Sequence, residues 1–70
     1  MVEVFKTNVQ EEYQAEVIVA ELYAYFPGYA INFDLADCDN ILRVEAESIK
    51  HEKIIRLLHR HGVDCEILPG

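Results

Sequence analysis

Seventy residues suffice for one domain, 1–70, and exclude a second lobe. Half of them are apolar, which argues against disorder, yet no apolar run approaches the roughly 18 residues that a membrane-crossing helix needs. Thirteen acids against six bases leave a net charge of −7, which repels phosphate backbones and anionic lipid, so we expect no nucleic acid and no membrane among the partners.

Val2 to Thr7 alternates as a strand, with Val2 and Val4 read toward the core and Glu3 and Phe5 toward the open face. Asn8 is a turn or cap residue. Gln10 to Phe26 then reads as a helix, because its interior lacks Gly and Pro and is rich in Ala, Glu and Leu. Pro27-Gly28 stops it. Tyr29 to Ala36 alternates again, with Tyr29, Ile31, Phe33 and Leu35 inward. Asp37-Cys38-Asp39-Asn40 is turn chemistry. Ile41 to Glu47 is the return strand of a hairpin, with Leu42, Val44 and Ala46 inward. Ser48 is a suitable N-cap for a second helix over Ile49 to His61, which Gly62 ends. Val63 to Leu68 closes as a short strand.

The order β-α-β-β-α-β is the split βαβ pattern. It predicts an α+β, ferredoxin-like sandwich: a four-stranded antiparallel sheet with two helices on one face. Right-handed crossovers place the first and third strands centrally. Cys38 and Cys65 then sit at opposite edges, beyond the roughly 7 Å at which Cα atoms can be bridged by a disulfide. Both are expected to be free thiols. The first residues show no secretory pattern, and the expected compartment is a reducing cytoplasm.

Phe26-Pro27-Gly28-Tyr29 follows the long first helix, and Ile54-Ile55 and Leu58 lead into His61-Gly62-Val63. These steps resemble the heavy-metal-associated domain of copper chaperones and metal-transporting ATPases. That family has a leucine-proline-glycine-valine step at the first place and an isoleucine-rich helix ending in alanine-glycine-aromatic at the second. The resemblance implies a first loop in which a methionine and a CxxC pair bind a soft cation, since Cu(I) prefers sulfur. The corresponding window is Val9-Gln10-Glu11-Glu12-Tyr13-Gln14-Ala15. Counting back from Pro27 puts the ligand positions at Glu12 and Ala15; one residue of slippage puts them at Glu11 and Gln14. Neither pair has sulfur, and between Met1 and Cys38 there is no Cys, Met or His. We therefore expect the family's scaffold without its MxCxxC motif, no cofactor, and no soft-metal chaperone activity.

Other uses of the architecture meet similar objections. The first loop has no Gly and no Arg to cradle a phosphate, so acylphosphatase chemistry is not expected. The open sheet face, read as Glu3, Phe5, Asn32, Asp34, Arg43, Glu45, Asp64 and Glu66, offers one aromatic among acids, which is unsuitable for stacking RNA bases. His51, His59 and His61 are spaced by eight and two, not by the four that sets a zinc pair on one helix face. Asp34, Asp37 and Asp39 lack the distal Glu of a calcium loop. No Ser-His-Asp or Cys-His grouping stands at a recognisable spacing, so no catalytic residue and no metal ligand is assigned.

The first helix carries the informative feature. At 100° per residue, Ala15, Ile18, Val19, Leu22, Tyr25 and Phe26 form one apolar arc, and Tyr13, Val17, Ala20 and Ala24 form a second on nearly the opposite side. The first suffices for a core, leaving the second for a neighbouring helix or a partner. The expected function is a non-catalytic interaction module that binds a protein partner or itself as a homodimer, with Tyr13, Val17, Ala20 and Ala24 as its surface. The alternative is a divergent metal- or small-ligand-binding sensor that uses acidic or His side chains.

Overall fold

The computed structural model describes residues 1–36 and 38–69. Its elements are β1 (Val2–Thr7), α1 (Glu12–Tyr25), β2 (Ala30–Asp34), β3 (Ile41–Glu45), α2 (His51–Arg60) and β4 (Cys65–Ile67). The strands form one antiparallel sheet in the order β2-β3-β1-β4, with the expected pair at its centre. Cross-strand partners share a face of a sheet. Phe5 is opposite Leu42, Glu3 opposite Val44, and Ile31 also opposite Val44, so these residues point to one side. There Phe5, Ile31, Leu42 and Val44 meet Ile18 and Leu22 of α1 and Ile54 and Leu58 of α2 in a single core. Both helices therefore cover the same face of the sheet.

That register reverses the expected orientation of β1. Phe5 is fully buried, whereas Val2 is half exposed on the open face with Lys6. The alternation could not choose, because each side of β1 carries one charged residue. The bulk of Phe5 decides it: its ring is fully buried opposite Leu42, while Glu3, second in the strand and half-buried, reaches His51 Nε2. The open face consequently presents no Phe5.

Both helices are shorter than expected. Ser48 does not cap α2; the helix begins at His51, and no side chain caps it. Ile49 is buried ahead of the helix while Ser48 before it is exposed, and the Lys50 N–H donates to Tyr29 Oη at 3.0 Å. The helix end follows the expected stop. Gly62, at φ 76°, lets its N–H bond the His59 carbonyl and the Val63 N–H bond the Leu58 carbonyl, a Schellman closure with Val63 packed inward. Val63 thus belongs to the helix stop, and β4 begins at Cys65. Among the described residues no helix is long and apolar enough to cross a membrane.

Candidate functional site

The loop from β1 to α1 is held by short polar side chains. Thr7, buried at the end of β1, donates its hydroxyl to the Asn40 carbonyl at 2.6 Å and accepts from the Val9 N–H at 3.2 Å. The Thr7 N–H bonds the Asp39 carbonyl at 3.2 Å, so the loop and the β2–β3 turn are tied together. Asn40 adopts φ 47°, a conformation that Asn tolerates better than most residues. Asn8 accepts from the Asp64 N–H at 3.0 Å and donates to Asp64 Oδ2 at 3.3 Å, which clips the loop before β4 to the first loop.

On this frame Val9 and Ala15 are buried, Glu11 and Glu12 are exposed, and Gln14 is half-buried. Of the two alignments of the first loop, the pair Glu12 and Ala15 puts one position inside the core. The pair Glu11 and Gln14 leaves both positions within reach of solvent. The side chains at the loop rim offer carboxylate and amide oxygens.

Along α1, Ala15, Ile18 and Leu22 are buried, and the opposite side is not covered by α2. Tyr13 is 75% exposed and Val17 38%, with Ala20 and Ala24 exposed in line with them. Ala20 also borders a groove of about 600 Å3 between α1 and β2, whose apolar lining includes Val19, Phe33 and Leu35 and whose rim carries Glu12 and Glu16. Tyr23 lies beside this groove and bonds the edge of β2 through its hydroxyl, with Ile31 N–H donating at 3.1 Å.

The histidines are dispersed. His51 places Nε2 3.2 Å from Glu3 Oε1 and its ring against Phe5, whereas His59 and His61 are exposed. Asp34 accepts from the Ala36 N–H at 3.1 Å, the local turn chemistry expected of it; Asp37 lies outside the described residues. Among the described residues no three His, Cys, Asp or Glu side chains converge as a metal site. Cys38 and Cys65 are free thiols. Burial, and next the charge of Glu66, push the Cys65 thiol from 9.0 up to about 12.

Two features escaped the sequence reading. The Glu3–His51 contact was hidden by the reversed orientation of β1. The hydroxyl of Tyr23 on the β2 edge had no local signal, because the residues that meet are joined through the fold and not through a motif.

No protein-family model matches the chain, and no curated protein sequence does. Among solved structures, it is similar to the yeast copper transporter domain CCC2A, determined in solution in the apo and Cu(I)-loaded states. The TM-score is 0.79 at 20% identity, over 97% of this chain and 94% of that one. The likeness supports the ferredoxin-like fold of the α+β class, a four-stranded antiparallel sheet with two helices.

Proposed function

We propose that the protein is a non-catalytic interaction module on a heavy-metal-associated scaffold, acting through contacts with another protein or with a second copy of itself. The observation that carries this reading is the apolar side of α1 left facing solvent, on which Tyr13 and Val17 are exposed. A helix in a two-layer domain needs only one apolar side, and α1 already fills its core with the other. A tyrosine flanked by small residues suits helix docking.

The first loop supports the same reading. The copper transporter domain is loaded with Cu(I), an ion that selects thiolate and thioether ligands. Here the corresponding rim has Glu11, Glu12 and Gln14, a hard-oxygen set that does not fit such an ion. The scaffold is thus read as retained for its surface and not for metal transfer.

Sedimentation velocity from micromolar to millimolar concentration, on wild type and Val17→Glu, tests the self-associating form. A mass that rises with concentration in wild type and not in the variant supports it. A strict monomer throughout, unaltered by the substitution, removes it. Tight stoichiometric Cu(I) uptake in a competition assay overturns the interaction reading as a whole.

A second reading, a sensor of a metal or small ligand through acidic or His side chains, is favoured by the close approach of Glu3 and His51. Titration with zinc, nickel and calcium, followed by backbone NMR, separates the two. Localised shifts at Glu11 to Gln14, or at His51, His59 and His61, favour the sensor.

A further inference from the structure

In a chain with thirteen acids and six bases, four of the bases line one groove. Lys50, Lys53, Arg56 and Arg60 stand around a depression of about 390 Å3 between the end of α1 and α2, with Tyr25, Phe26 and Leu57 as its apolar part and no carboxylate in its lining. The helix geometry sorts the charges. At 100° per residue Lys53, Arg56 and Arg60 fall within one narrow arc, and Glu52 and His59 fall to the side of it. Among the described residues the contacts between acidic and basic side chains are Lys6–Asp39 and Glu3–His51, and the four cations enter neither.

Helix stability does not account for this arrangement. Arg60 in the last turn complements the negative end of α2. Lys50 and Lys53, however, stand at the positive end, where a cation is unfavourable and where no side chain caps the free N–H groups. Tyr25 is 57% exposed beside them. These cations thus stand against the helix field, next to an exposed aromatic.

We propose that this groove docks an acidic segment of a partner protein that carries an apolar side chain among its carboxylates. Charge complementarity selects the acid, and Tyr25, Phe26 and Leu57 select the apolar anchor. A long polyanion fits poorly, because the rest of the surface carries the whole excess of negative charge. The proposal goes beyond the reading of α1 above: Tyr13, Val17, Ala20 and Ala24 line no part of this groove.

The test is an NMR titration of the 15N-labelled full chain with a short synthetic peptide that intersperses phenylalanine among glutamates. Inorganic phosphate and a DNA duplex are run in parallel. The expected result is saturable shifts at Tyr25, Phe26, Leu57 and the α2 cations, weakening as salt rises. The double variant Lys53→Gln/Arg56→Gln, at exposed sites where Gln is a good helix former, weakens binding by about tenfold. Tyr25→Ala weakens it as well, and Lys6→Gln does not. The proposal is overturned if no saturable shift occurs, or if phosphate or DNA gives the same shifts. It is equally overturned if these residues shift on concentrating the protein alone, which would mark a contact between copies.

Discussion

The Tyr23 hydroxyl lies on the outer edge of β2, accepting from the Ile31 N–H at 3.1 Å and approaching the Ile31 carbonyl at 3.4 Å. β2 is an edge strand, and an open edge invites pairing with another chain. A side chain of the covering helix therefore occupies the backbone groups that a foreign strand would use at this position.

Tyr23→Phe keeps the ring and removes both contacts. Since the Ile31 amide then turns to water, the loss is expected to be about 0.5–1.5 kcal/mol. Amide hydrogen exchange checks it: Ile31 should exchange faster in the variant, while the central β1 and β3 amides change only by the global loss of stability.

Thr7 links three segments through one hydroxyl, which bonds the Asn40 carbonyl and the Val9 N–H. Thr7→Val preserves shape but strands the buried Val9 donor. Leaving such a group unpaired costs about 1–3 kcal/mol, more than the net worth of an ordinary hydrogen bond. Urea unfolding should show a lower midpoint with an unchanged slope, and Thr7→Ser should recover most of the loss.

The order of elements and the central and edge strands were legible in the sequence, because Pro27-Gly28, Gly62 and the strand alternations are local signals. The face of β1 was not. Val2 and Val4 compete with Phe5 for the core, and only pairing with Leu42 and Val44 settles the choice. Of the candidate surfaces, part was legible. The oxygen donors of the first loop and the second apolar arc of α1 follow from residue type and helical spacing. The basic groove does not, since His51, Glu52 and His59 interrupt the cations between Lys50 and Arg60, and only the fold brings Tyr25 and Phe26 alongside.

Gly62 isolates a backbone effect. It adopts φ 76°, and a Cβ placed there would meet nothing within 4 Å. Gly62→Ala should thus destabilise through conformation alone, by about 1–2 kcal/mol, and Gly62→Asn by less. Thermal unfolding of the two variants checks the order. Equal losses would mean that the left-handed conformation is not what the position requires.

Cys65 gives the fold a dependence on alkaline pH. Its thiol titrates near 9.0 ordinarily and is raised to about 12 by burial, then by Glu66. The unfolded chain therefore releases this proton first. Between about pH 9 and 12 the folded state holds more protons than the unfolded one, so stability falls as pH rises through that window. The measurement is a difference between two proteins, so that every group they share cancels. Wild type minus Cys65→Ala, in unfolding free energy against pH, should be flat below pH 9 and slope downward above it. The same burial predicts that iodoacetamide at neutral pH labels the exposed Cys38 in the native protein and reaches Cys65 only when denaturant is present. Equal labelling of the two thiols without denaturant would contradict both the inward placement of Cys65 on β4 and the alkaline slope derived from it.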